Sequence, residues 1–254
     1  MVPKILLYDI ETSPIISYNW GIYEQNAVAI KEDWQILCFA YKWLDDKKTY
    51  VVAQPDFKHY KKGINDDYYV VKRLHELFNE ADVVIAHNGN QFDQRKAHAR
   101  MIVHGMEPSN SYEQIDTKLV AKRYAGFTSN KLDDLGELLG VGKKLETGGF
   151  KTWLGCLAGD KRAWEKMKKY NKQDVVLLEK VYLRLRGWIK NHPAINVLSE
   201  RPDSCPKCGL HIMHKVMKYR ATSGNLYQYY RCQNCGGMAK SRIPETKSKM
   251  HYVN

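Results

Sequence analysis

The sequence predicts an α/β domain over residues 1–192, a linker over 193–204, a small cysteine-held β module over 205–240 and a flexible polar tail over 241–254. Three observations lead there. Short apolar runs that suit buried strands alternate with stretches of helical periodicity through the first 190 residues. Four of the six cysteines fall into two C-x-x-C turns near the end. Pro193 and Pro202 punctuate the stretch between these regions.

The first strand is Ile5 to Tyr8, a continuous apolar run that suits the buried centre of a sheet, and Pro14 ends the regular structure beyond it. An irregular loop with Tyr18, Trp20 and Tyr23 follows. Gln35 to Leu44 and Lys48 to Ala53 read as strands, with a hairpin turn at Asp45-Asp46-Lys47. Over 66–80, Val70, Leu74, Leu77 and Phe78 give the stripe of an amphipathic helix. Val83 to Ala86 is a short buried strand, Phe92 to His104 a helix, and Tyr112 to Ile115 a strand whose successor Asp116-Thr117 caps another helix. Lys131 to Leu139 is a helix with Leu132, Leu135, Leu138 and Leu139 on one side, ended by Gly140. Six glycines over 140–159 predict a long loop near the substrate. Helices over about 160–171 and 174–190 complete the domain, the second burying Leu177, Leu178, Val181, Leu185 and Trp188, with His192-Pro193 as its stop.

Carboxylates collect where these elements end. Asp9 and Glu11 are two residues apart on the first strand, so both side chains leave one face, and a cation between them relieves their repulsion. Asp93, in Asn88-Gly89-Asn90-Gln91-Phe92-Asp93, lies just past the carboxyl end of a strand, where open α/β sheets place ligands; its alternative role is to complement a helix dipole. Tyr170 and Asp174 present to one point if the helix there is continuous; if it breaks, Asp174 is an N-cap and Tyr170 a core residue.

Taken together these clusters resemble the DEDD superfamily of 3′→5′ exonucleases, whose catalytic domain has a ribonuclease H-like fold, a mixed sheet flanked by helices. Asp9-Ile10-Glu11-Thr12 resembles its first motif, Asn88 with Phe92-Asp93 the second, and Tyr170 with Asp174 the third. Lys169, where the other subclass has His, points to the tyrosine subclass, shared by proofreading domains of family-B DNA polymerases; Asp116-Thr117 and Lys131 to Leu135 are similar to it as well. The resemblance spans residues 4–190 and implies two Mg2+ or Mn2+ ions, about 3.5–4 Å apart, clamping the attacking and leaving oxygens of a phosphodiester. It implies that Asp9 bridges both ions, Glu11 and Asp174 complete one shell, and Asp93 serves the other. It further implies that Tyr170 orients the attacking water, that Thr12, Asn88 and Phe92 hold the terminal nucleotide, and that nucleoside 5′-monophosphates leave from a 3′ end. The expected substrate is nucleic acid, DNA ahead of RNA, with single-stranded ends, and replication or repair proteins are candidate partners. His87 reads as a satisfied structural residue. An internal-cutting nuclease on the same fold and a non-catalytic binding protein are the alternatives.

Cys205, Cys208, Cys232 and Cys235 sit in two turns separated by 23 residues, a spacing that suits one structural Zn2+ and a zinc ribbon. About 50 residues hold an independent fold poorly without such a staple. Lys215 to Arg220 and Tyr227 to Arg231 read as strands interleaving Lys215, Lys218, Arg220 and Arg231 with Tyr219, Tyr227, Tyr229 and Tyr230, which suits phosphate and base contacts. Net charge is +12, with ten basic and three acidic residues in 200–254, so an anionic partner is expected. The 44% hydrophobic and 27% charged content is that of an ordinary globular chain without a membrane span. Met1 to Tyr8 are too short for a secretory signal, so a cytoplasmic location is expected.

Overall fold

The computed structural model describes residues 2–23, 26–44, 46–61, 66–222 and 225–247, without the side chains of 217–222 and 246–247. The expected turn at 45–47 therefore lies partly outside the described residues, as do 248–254 of the expected tail. The chain divides into two compact units, one of Lys4–Val181 and one of Tyr182 onward together with residues 1–3.

In the first unit, β1 (Ile5–Thr12) leads into a hairpin of β2 (Ile16–Tyr18) and β3 (Ala29–Glu32). Then come β4 (Ile36–Trp43), β5 (Tyr50–Ala53), α1 (Tyr68–Glu80), β6 (Val83–Ala86), α2 (Asp93–Val103) and β7 (Glu113–Asp116). The helices α3 (Thr117–Tyr124), α4 (Leu132–Leu138), α5 (Phe150–Leu157) and α6 (Lys161–Leu185) follow. β1 is the middle of a five-stranded sheet ordered β5-β4-β1-β6-β7, antiparallel to β4 and parallel to β6. Its apolar run is that of a strand covered on both faces, and Leu6, Leu7 and Tyr8 are fully buried.

The two faces are divided by the strand's period of two. Leu6, Tyr8 and Ile10 pack with Leu74, Leu77, Phe78 and Met101 under α1 and α2, the rings of Tyr8 and Phe78 meeting edge-on at 5.2 Å. On the other face Cys38 and Ala53 pack with Cys156, Trp164 and Met167 of α5 and α6. Glu11 pairs with Cys38 across the ladder, so Asp9 and Glu11 point to this second face.

Several expectations need correcting. The helices expected at 160–171 and 174–190 are one helix through residue 185, because no proline or glycine interrupts 161–185 and Leu177, Leu178 and Val181 continue its buried stripe. Trp188 is exposed, because the chain tightens into a 3-10 turn at Arg186–Trp188 and the stripe loses phase. Leu138 is likewise exposed, because it is the last residue of the short α4 and the chain turns away at Gly140, whose N–H donates to the Glu137 carbonyl. The glycine-rich stretch 140–159 contains α5, whose Thr152 and Cys156, four residues apart, both turn inward. The loop read around Tyr18 to Tyr23 is the tip of the β2–β3 hairpin. The cap expected of Asp116 is present: its carboxylate accepts from the N–H groups of Lys118 and Leu119.

The second unit carries α7 (Ile195–Leu198) and a small antiparallel sheet of β8 (Met213–Thr222), β9 (Asn225–Cys232), β10 (Met238–Lys240) and β11 (Thr246–Lys247), all three others pairing with β9. No helix among the described residues is long and apolar enough to cross a membrane.

Candidate metal centre

Three of the four carboxylates singled out in the sequence converge. Since α6 runs unbroken through 170–174, Tyr170 and Asp174 face one way, toward the end of β1 that carries Asp9 and Glu11. One oxygen from each of Asp9, Glu11 and Asp174 lies within 4.8 Å of the other two. Asp174 is 1% exposed, and its Oδ1 is buried with no hydrogen-bond donor. A buried carboxylate oxygen left bare is costly, and it is the kind of atom that a hard cation satisfies.

Asp93 stands beside this ring and outside the three-oxygen set. It is the first residue of α2, and its Oδ1 accepts the N–H of Ile10 at 3.0 Å, which fixes it alongside β1 just beyond the end of β6. Burial raises the Asp9 carboxyl well above the usual range, and the charge of Asp93 is the next cause, ahead of Glu11 and Asp174. Burial first and Asp174 second push Glu11 up to about 8. Burial raises Asp93 to about 7 against the pull of the Ile10 N–H. Carboxyls that resist ionisation because they are buried and also crowd one another are the donors that a divalent cation converts to anions.

Several residues without a role in the sequence reading hold this arrangement. Asn171 is fully buried in α6 and donates through Nδ2 to Asp9 Oδ2 at 2.7 Å and to the Asp9 carbonyl at 3.2 Å. Lys144 comes from the glycine-rich stretch; its Nζ lies 2.7 Å from Asp174 Oδ2 and 3.1 Å from the Tyr170 hydroxyl. Its backbone N–H donates to Asp133 Oδ1 at 2.7 Å, which ties the lysine to α4. Burial works against the Lys144 charge, but Asp174 more than offsets it and holds the ammonium protonated. Burial and then the Asp174 charge raise the Tyr170 phenol well above its ordinary value. Only a fold that folds 144 back onto 170–174 reveals this lysine, since nothing in its local sequence marks it.

The substrate-side candidates lie along the same sheet end. Thr12 closes β1, half-buried, just past a register shift between Glu11 and Thr12. Asn88 has φ 69, and its N–H donates to Asp116 Oδ1 at 2.9 Å while its side-chain oxygen accepts from Lys118 Nζ at 3.2 Å. Asp116 also takes the N–H of Asn90, so one carboxylate both caps α3 and shapes the 88–90 turn. Phe92 is 38% exposed just before Asp93. His87 is a satisfied structural residue, with Nε2 2.9 Å from the Asn130 carbonyl and Nδ1 2.9 Å from the Thr117 hydroxyl; burial lowers it to about 4.

In the second unit, one sulfur from each of Cys205, Cys208, Cys232 and Cys235 lies within 4.8 Å of the rest. Cys205 and Cys235 are 3.7 Å apart and Cys208 and Cys232 3.6 Å, far beyond a disulfide bond. Tetrahedral thiolates about 2.3 Å from zinc stand about 3.8 Å from one another. Gly209 and Gly236 follow the second cysteine of each turn at φ 73 and 68, their N–H groups donating to the carbonyls of Cys205 and Cys232. The cluster fits a small zinc-binding domain.

A family model described as the RNase_H superfamily matches residues 6–186. The chain belongs to the RNase_H superfamily. No curated protein matches. Among solved structures, this RNase H-like chain is similar to the family B DNA polymerase from the hyperthermophilic archaeon Pyrobaculum calidifontis, with a TM-score of 0.52 and 16% identity. That similarity covers 73% of this chain and 25% of the polymerase, so it is a likeness of fold over a quarter of the larger protein. Membership in the superfamily supports a nuclease acting on nucleic acid, and the acidic ring is a site able to hold a divalent metal.

Proposed function

We propose that the protein is a metal-dependent 3′→5′ exonuclease that releases nucleoside 5′-monophosphates from single-stranded DNA ends. The observation that carries this reading is the convergence of one oxygen each from Asp9, Glu11 and Asp174, with one Asp174 oxygen buried and bare and Asp93 held alongside by the Ile10 N–H. Asp9, Glu11 and Asp174 would hold one Mg2+ or Mn2+, and Asp9 with Asp93 a second; two such ions supply charge stabilisation to the attacking and leaving oxygens of a phosphodiester.

The protein groups account for the rest. Asn171 fixes the rotamer of Asp9, the carboxylate that would serve both ions. Tyr170 keeps its proton, and its oxygen already accepts from Lys144, so it donates to the attacking water and orients it without acting as base. Thr12 and Asn88 hydrogen-bond the terminal nucleotide, and the exposed ring of Phe92 stacks on or packs against its base. In the second unit, exposed Lys215 and Arg231 and the half-buried Tyr227, Tyr229 and Tyr230 support a zinc ribbon that grips nucleic acid.

Single strands labelled at the 3′ or the 5′ end, incubated with magnesium or manganese, test the reading. Mononucleotide released first from the 3′ label, with Asp9→Ala and Asp174→Ala inactive yet still binding, is the expected result. Equal activity in those variants, or cutting of a circular strand, contradicts it.

A further inference from the structure

The β2–β3 hairpin leaves the sheet at the catalytic end of β1 and returns at the start of β4. Its stem is pinned there: the Ser13 N–H donates to the Gln35 carbonyl at 2.8 Å, and the Gln35 N–H to the Ser13 hydroxyl at 2.9 Å. Beyond the stem the hairpin turns large apolar groups to solvent. Tyr18 is 59% exposed, Trp20 90%, Ile22 86% and Tyr23 81%. Such a concentration on one short excursion marks a contact surface, since exposed apolar side chains on a soluble protein are ordinarily scattered.

A second aromatic feature connects this hairpin to the site. Two residues past β3, the Trp34 ring has Lys96 Nζ 3.5 Å from its centroid, and the same ammonium lies 5.9 Å from the centroid of Phe92. Phe92 adjoins Asp93, so rings and a cation run from the acidic site through Lys96 and Trp34 to the hairpin. Among the described residues of 15–30, Ile15, Val28 and Ile30 are exposed as well, so three of seven exposed large apolar side chains are aromatic, and planar rings stack on any base whatever its identity. The segment 14–35 carries Glu24, Lys31, Glu32 and Asp33, a net charge of −2, so its grip on a polyanion would come from stacking and not from charge.

We infer that this hairpin, with Trp34 and Lys96, is a sequence-tolerant stacking track for the single-stranded nucleic acid behind the terminal nucleotide. The inference rests on the nuclease reading for its occupant. The rings of Trp20 and Tyr23 take successive bases, and Lys96 faces the backbone between the hairpin and the site.

The test is binding of a fluorescein-labelled oligothymidylate of about twelve nucleotides to the full chain carrying Asp9→Ala, so that substrate is not consumed. Adding Trp20→Ala and Tyr23→Ala together lowers affinity at least roughly thirtyfold, as the loss of two stacked bases at about 1 kcal/mol or more each requires. The slope of log affinity against log salt stays the same, because no phosphate contact is lost. Trp20→Phe with Tyr23→Phe keeps most of the affinity, and circular dichroism checks the fold of each variant. Unchanged affinity in the alanine variant overturns the inference, as does an equal loss in the phenylalanine variant. Self-association of the parent chain that the alanine variant abolishes, with oligonucleotide affinity intact, assigns the hairpin to protein contact and also overturns it. The nuclease reading fails on a separate readout, cleavage by the chain with Asp9 intact, so the two outcomes are distinguishable.

Discussion

Lys144 Nζ lies 2.7 Å from Asp174 Oδ2, a protonated amine inserted among carboxylates that belong to three separate elements. The amine takes one oxygen of Asp174 and leaves the other bare. This single contact reconciles a ring of acids with a stable fold.

Replacing Lys144 by methionine keeps the aliphatic stem and removes the charge. Breaking a buried pair while leaving its partner costs about 3 kcal/mol. The urea midpoint without added divalent ion is therefore expected to fall. Added magnesium supplies the missing positive charge, and most of that loss should return. A midpoint that ignores magnesium in the variant would contradict the arrangement.

Proton release gives a second prediction. The folded values of Glu11, about 8, and Asp93, about 7, lie above those of free carboxyls. These groups therefore add stability that is full below about pH 4 and is lost as pH rises through 7 to 8. A hard cation binds only the anions, so magnesium affinity should climb through the same window and level off above it. Calorimetry in two buffers of different ionisation enthalpy, at pH 7 and 9, should find protons released on binding at the lower pH and few at the higher.

Asn171→Ala removes the amide that holds Asp9. Loss of a group that orients a metal ligand typically costs 10–100-fold in activity or metal affinity. The expected drop in nuclease turnover is of that order, together with a loss of about 1–3 kcal/mol of stability in the metal-free protein, since the partly buried Asp9 Oδ2 is left without its Asn171 donor. Asn171→Gln, whose longer side chain displaces the amide, should not restore turnover.

Zinc removal tests the second unit. Cys235→Ser should release the metal, seen by a colorimetric zinc assay, and strip hydrogen-exchange protection from β8 and β9. Structural zinc supplies about 10–16 kcal/mol to such modules. Retained protection in the serine variant would show that the sheet stands without the metal.

Some features were legible in the chain because they are local. The apolar run at Ile5 to Tyr8, the Asp116 cap and the Gly140 stop follow from short-range sterics and hydrogen bonding. Others misread because tertiary packing overrode the local signal. Glycines over 140–159 suggest a loop, yet Thr152 and Cys156 find a buried face and α5 forms. Trp188 fits the stripe of α6 by count, but the helix tightens just before it.

Asp9 and Glu11 share a face because a strand alternates, so the sequence alone determined this pair and the two cysteine turns, whereas Tyr170 and Asp174 share one because α6 runs unbroken, which the sequence left open. Which pairs meet was decided only in three dimensions. The parallel neighbour β6 brings Asp93 to the Ile10 N–H, and α6 lays Asn171 on Asp9. Lys144, thirty residues from Asp174, had no local signature at all. Its role arises because a buried carboxylate draws whichever cation the folded chain can deliver, and chain order carries no record of that distance.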